Sequence, residues 1–501
     1  MGIFANPLTD LLEYEDFSRD FLKGTDPVGM TGCIDSEKVH FMSTFLGEKK
    51  VQLVVTYNEQ RAREIEEDYK LFCSQVYVIP PRDLIFFSAD LQGNAIIAER
   101  MKAFAALYQN EAKVIITTID ALMSAAVPFE QLMSHVIKLK EGDELDLEKL
   151  KHDLTVMGYE RVGRVEEPGQ FTVHGGIADV YPLTMEVPVR IELWGDEIDT
   201  IRCFEPQSQR SMDQIECVSV FPAAEVIADD TARRRAVGMI KNELESQLAV
   251  FKKAKEPDKA KRLREETNRI LEALGEDVVL EAPDSYISYF YPRTVQLSEY
   301  FDEKNTLVFL DEPMRLKERG DGVQAEFEES MKNRLEQGFL LPGQTALLTP
   351  AKHVLAAFER GQVAALSSLD SRLADFTVVN SYAVNVQNMN TYREGFELLI
   401  KDLTHWKKEK YRIVLLCPSR TRANRIVNQL IEYDLLAYYS EDEDKKINPG
   451  ESKEIKLVLT KKLTSESLGS IMSNTSEIYE ATNDAGLQDI DSEPANKLES
   501  E

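Results

Sequence analysis

The sequence predicts a multi-domain α/β protein, and three observations carry that prediction. Toward both ends of the chain, short apolar runs alternate with helix-length amphipathic segments, the pattern of doubly wound parallel sheets. Between them lies a stretch with period-two alternation, as expected of strands with one solvated face. With 501 residues the chain is long enough for three or four domains, each with its own core.

Residues 1–125 alternate strand and helix. The apolar runs at 51–56, 76–80 and 114–118 read as buried parallel strands, and 59–72 and 98–108 as helices, the first capped by Asn58. From 126 to 222 the texture becomes mainly antiparallel α+β. A short helix over 147–157 ends at Gly158, and strands follow at 170–173, 177–181, 189–194, 198–204 and 217–221. Val189, Ile191 and Leu193 fall on one face before a Gly-Asp-Glu turn, so 189–204 reads as a hairpin. Two charged helices over 231–274, joined at Glu256-Pro257-Asp258, open a 223–345 stretch that returns to a buried strand at 306–313 and a helix over 321–337. A further α/β unit is expected over 346–463, with its last helix opened by Ser419. The acid-rich 464–501 segment has little periodicity and reads as a disordered tail.

Composition narrows the function. The hydrophobic share is 43% and the charged share 29%, with no apolar run long enough to span a bilayer. The acidic N-terminus lacks a basic n-region, so no signal peptide is expected. Five cysteines without a CxxC pair fit a reducing cytoplasm, and six dispersed histidines predict no metal site. A net charge of −28 repels phosphate, so the chain is not expected to bind DNA in its own right.

One segment carries the outline of nucleotide chemistry without its contents. A phosphate-binding loop reads GxxxxGK[ST]: glycines let backbone amides wrap the phosphates, lysine supplies charge and the hydroxyl ligates magnesium. Residues 29–36 read GMTGCIDS. Gly29 and Ser36 match and Gly32 adds a glycine, but Ile34 replaces the second loop glycine and Asp35 replaces the lysine. Ile34 does not readily take the left-handed backbone glycine supplies. A carboxylate about 4 Å from a phosphate, at an effective dielectric near 20, costs roughly 4 kcal/mol per charge pair, and about 1.4 kcal/mol is a tenfold loss of affinity. Lys38 falls one turn too late to stand in for the missing lysine. Asp311 and Glu312, ending the apolar run at 307–310, have the form of a Walker B magnesium site. Together these residues predict a vestigial nucleotide site, hence a degenerate P-loop NTPase-like unit split by an insertion. No catalytic residue, no metal and no cofactor are expected for this chain.

The stretch from Gly158 to Phe221 holds three long, ordered motifs: GYERV, GQFTVHGGIADVYP and RIELWGDEIDTIRCFEPQSQRS. They resemble the interaction domain shared by the excision-nuclease damage-verification subunit (UvrB) and the transcription-repair coupling factor family (Mfd). The degenerate loop, the helical hairpin, FYPRTVQLSEYF and VLLCPSRTRANRIVNQL resemble the second family's N-terminal half, over residues 1 to about 455. The resemblance implies a UvrB-like interaction domain over 126–222 that docks UvrA and recruits nucleotide excision repair to stalled RNA polymerase. It also implies that contacts with polymerase and DNA, and the ATP- and magnesium-dependent motor, belong to segments beyond this chain. The 450–470 stretch departs from the family's continuation. Two descriptions fit that departure: a truncated or frameshifted product, or a diverged stand-alone homologue.

Carried over by motif, the UvrA-binding residues are Arg161, Phe171, His174, Gly175, Gly176, Ile177 and Asp179. Arg161 matches an arginine of the family and Phe171 an exposed aromatic, while His174 stands where an arginine is usual. Phe171 reads equally as a core residue of its strand, Arg161 also as a solvated charge, Gly175 and Gly176 as turn formers, and Asp179 as a turn carboxylate. The rival function is an active, UvrB-like DNA-dependent ATPase, which Asp35 opposes.

Overall fold

The computed structural model describes residues 8, 13–70, 72–82, 92–275, 283–369, 376–384, 396–409, 413–417, 420–440 and 455–459. Ser419 and the tail expected over 464–501 lie outside the described residues.

Seven strands make one parallel sheet, in the order Asn380–Ala383, Val28–Thr31, Val363–Ser367, Thr306–Asp311, Val51–Thr56, Val114–Thr118, Val76–Ile79. The inner strands are mostly apolar because both faces are covered, whereas the edge strand Asn380–Ala383 is largely exposed. Leu53 and Val55 enter one core with Phe104, Leu122 and Leu316. Val54 enters the other, with Phe17, Phe21, Phe41 and Phe45. The helix Glu59–Tyr69 starts where expected, with the Asn58 side chain accepting the Arg61 amide at 2.8 Å.

Two expectations are corrected. The boundary near 345 is too early, because Val363–Ser367 and Asn380–Ala383 belong to the large sheet. Val28–Thr31 is paired on both edges, by one of these strands on each side, and without them it would lack every ladder partner. Among the described residues, the smaller α/β unit thus begins with the helix Phe396–Lys408 and holds a parallel sheet ordered Val414–Cys417, Ile455–Leu459, Ala437–Ser440. Second, the helix expected over 321–337 begins at Pro313 and runs to Glu336. Proline suits a first helical position. Gly320 and Gly322 lie inside the helix, and Gly320 permits close approach to Ala351.

The inserted unit is a six-stranded sheet ordered Ser211–Gln214, Glu197–Phe204, Val189–Trp194, Ile177–Val180, Gln170–His174, Glu160–Arg161. Its pairs are antiparallel except the last. The helix Leu147–Val156, capped by Asp146, buries Leu150 and Leu154 against it. A second pairing, Ile137–Lys140 with Cys217–Val220, ties the chain together where it enters and leaves the unit. The expected hairpin of charged helices is present as Asp230–Ala254 and Pro257–Gly275. Among the described residues no helix is long and apolar enough to cross a membrane.

Candidate functional site: an acid–lysine cluster and two hairpin tips

Parallel sheets bind ligands outside the carboxyl ends of their strands, and the residues singled out in the nucleotide-like motifs converge there. Gly29 lies within the strand Val28–Thr31, so the connection to the helix Asp35–Ser43 is only Gly32-Cys33-Ile34. Gly32 has φ +82°, and a Cβ on it would overlap the Val384 carbonyl oxygen. Its freedom therefore serves a crossing of the chain's own backbone. The Cys33 amide donates to the Ser367 carbonyl at 3.3 Å, which engages a donor that a phosphate would need. Ile34 is extended, at φ −88° and ψ 161°. Ser36 opens the helix beside Asp35.

Asp311 ends the strand Thr306–Asp311, one strand removed from Val28–Thr31 across Val363–Ser367, and Glu312 follows it in a left-handed conformation at φ 54°. Here the sequence reading missed the decisive residue. Lys38 is fully buried, at 0% exposure, and its ammonium donates to Asp311 Oδ1 at 2.8 Å and Glu312 Oε1 at 2.6 Å. One turn along the helix is too far to reach a phosphate but right for the acids. Asp311 Oδ2 accepts from Thr56 Oγ1 at 2.8 Å and from Arg61 Nε at 3.4 Å. The Ser368 amide donates to Glu312 Oε1 at 2.8 Å. Burial by itself would lower the pKa of Lys38, but Asp311 and Glu312 outweigh it and hold the ammonium above the ordinary lysine value. Burial would likewise raise Asp311, and Lys38 and Arg61 outweigh it, keeping the carboxyl below its ordinary value. The Asp35 carboxylate, half exposed, faces the same two cations at 3.6 and 3.7 Å.

The second cluster lies at one end of the inserted sheet. His174, Gly175, Gly176 and Ile177 form the tip of the hairpin Gln170–His174/Ile177–Val180, with Gly175 at φ +62°. All four are exposed. The next hairpin ends beside it, where the Leu193 amide donates to the Gly176 carbonyl at 2.9 Å. That positions Trp194, which is 84% exposed, next to Ile177 at 40%. Arg161 is exposed on the edge strand, in register with Phe171. It sits back from the tip by roughly 10 Å of strand.

Two of the carried-over residues are corrected. Phe171 is fully buried in the unit's core and presents no surface to a partner, because its strand turns that side toward the helix Leu147–Val156. Asp179 is buried too and held by Arg190 through two hydrogen bonds, at 2.8 and 2.7 Å. It is a structural ion pair. Trp194 was missed although the signal was present: the alternation that turns Val189, Ile191 and Leu193 inward turns Trp194 outward.

The model of the UvrB interaction domain matches residues 137–225, the segment that holds the hairpin tips. A transcription-repair coupling factor of Bacillus subtilis (strain 168) is 27% identical over 439 residues, covering 86% of this chain and 37% of its own length. The corresponding protein of Staphylococcus epidermidis (strain RP62A) is 26% identical over 436 residues, covering 86% and 36%. That of Staphylococcus haemolyticus (strain JCSC1435) is 27% identical over 432 residues, covering 82% and 35%. The chain is therefore similar along most of its length to transcription-repair coupling factors, in their N-terminal region, and spans about a third of the length of these relatives.

Proposed function

We propose that this chain is the recognition part of a transcription-repair coupling factor, an adaptor that binds UvrA through the two hairpin tips of its inserted unit. The observation that carries the reading is Trp194, an indole left 84% exposed at one hairpin tip beside the other, which bears Ile177, inside the segment that matches the UvrB interaction domain. Exposing an aromatic of that size forgoes roughly 2–3 kcal/mol of burial, and tryptophan is a residue type on which interfaces concentrate their energy. His174 stands beside it with a single ring where arginine would offer a two-pronged fork. On this reading, excision repair reaches stalled RNA polymerase through UvrA. The adaptor works in the cytoplasm.

The large sheet is, in the same proposal, a degenerate P-loop NTPase-like unit that needs no cofactor and hydrolyses no nucleotide. Lys38 supports this, because its ammonium already balances the acids that would hold magnesium. The rival, a UvrB-like ATPase, requires that cluster to open and admit a metal-bound triphosphate.

A pull-down with UvrA tests the docking. Trp194→Ala should weaken capture about 30-fold, on the order of 2 kcal/mol, with the melting temperature unchanged. Phe171→Ala should instead lower the melting temperature, since removing a buried phenylalanine costs about 3–5 kcal/mol. Undiminished capture by Trp194→Ala would remove the tips as the docking site.

A further inference from the structure

We infer that Lys38 is a built-in counter-ion, a covalently tethered cation occupying what is otherwise a divalent-metal site. Asp35, Asp311 and Glu312 each turn a carboxylate oxygen to within 4.8 Å of the others, on three separate backbone positions that the sheet and two helix starts hold fixed. Oxygen donors that converge so closely suit a hard divalent cation. Left alone, they repel one another. The Lys38 ammonium stands among all three, at 2.8 Å from Asp311, 2.6 Å from Glu312 and 3.6 Å from Asp35.

Its placement has the features of a permanent ligand. The side chain is wholly buried. It comes from the first turns of the helix whose start supplies Asp35, and it cannot dissociate. The remaining polar contacts complete the shell around the acids: Thr56 and Arg61 on the far oxygen of Asp311, Ser368 on Glu312. Four carboxylates face two cations, since Arg61 also pairs with Glu64 at 3.1 Å, so two negative charges remain, and Asp35 and Glu64, the exposed members, lie where water screens them. Taking Lys38 away leaves three negative charges, of which one divalent ion would cancel two. The sheet is thereby fixed in one closed arrangement that no change of bound ion or nucleotide can switch.

The test uses the full chain and needs no UvrA. In EDTA, Lys38→Met should melt about 10 °C lower than the unaltered protein, the scale expected when one partner of a buried ion pair is removed. Millimolar Mn²⁺ or Mg²⁺ should restore at least half of that loss and titrate as one site. The unaltered protein should shift by less than about 1 °C under the same additions. A triple variant, Lys38→Met with Asp311→Asn and Glu312→Gln, removes the excess charge along with the lysine. It should be more stable in EDTA than Lys38→Met and indifferent to metal. If Lys38→Met folds only when metal is present, the inference is supported; if it fails with metal while the triple variant folds, it is overturned. Stabilisation of the unaltered protein by Mn²⁺ would likewise overturn it.

Discussion

Glu37 stands on the first turn of the helix Asp35–Ser43 with its Oε2 buried and without a hydrogen-bond partner among the described residues. Burial pushes its pKa up to about 7 from the ordinary 4.5, against the small lowering effect of the Ile34 backbone. A carboxyl raised on folding binds its proton more tightly in the native state. Stability must therefore fall as pH rises from about 4.5 to about 7 and level off above that. Glu37→Gln should flatten this slope. At pH 8 it should be more stable than the unaltered protein by roughly 2 kcal/mol, a figure reduced for its partial exposure, with no gain at pH 4. Urea unfolding at the two pH values measures it, and an equal effect at both would assign the difference to something other than ionisation. At this scale the sequence was readable only in part. Asp35, Asp311 and Glu312 were legible from motif spacing, but spacing alone could not bring Lys38 into the acids, because that contact joins residues from opposite halves of the large unit. Phe171 and Trp194 exchanged roles: the motif pointed to the buried aromatic, whereas strand alternation pointed to the exposed one.

The elements most legible in advance were those whose pattern is enforced by burial on both faces. The strands Val51–Thr56 and Val114–Thr118 were expected at their observed bounds, since each is an unbroken run of apolar or β-branched residues apart from Gln52. The strand Val363–Ser367 was missed; its VAALS run is short and alanine-rich, and its ladder partners are remote in the chain. The helix Pro313–Glu336 was expected only from residue 321, and the structure separates its two glycines physically. A Cβ on Gly320 would overlap that of Ala351, whereas one on Gly322 meets nothing within 4 Å. Gly322→Ala should accordingly stabilise the protein by about 0.5–1 kcal/mol, the ordinary gain of replacing glycine inside a helix. Gly320→Ala should destabilise it, because overpacking costs about 1–3 kcal/mol. Thermal melts of the two variants decide the matter, and a matching gain from both would mean that Gly320 is not in close contact with Ala351.

Across the whole molecule, the inserted unit is coupled to the large sheet by buried charge as well as by chain continuity. Glu225, just beyond the unit's last strand, accepts two hydrogen bonds from Arg100, the longer at 3.0 Å, and lies 3.8 Å from Arg82. Arg82 in turn reaches Asp284 at 2.6 Å. Burial would raise the Glu225 carboxyl, but the two arginines outweigh it and hold it below its ordinary value, so the clamp stays charged at neutral pH. A rigid base of this kind suits an adaptor, since a preorganised surface loses little freedom when it binds. The net charge of −28 agrees with a partner that is protein rather than nucleic acid. The most direct measurement is a calorimetric titration of this chain with purified UvrA, followed by one with magnesium-ATP. The account predicts saturable one-to-one binding of UvrA and no heat from the nucleotide; magnesium-ATP binding, or UvrA titrating without a signal, would contradict it.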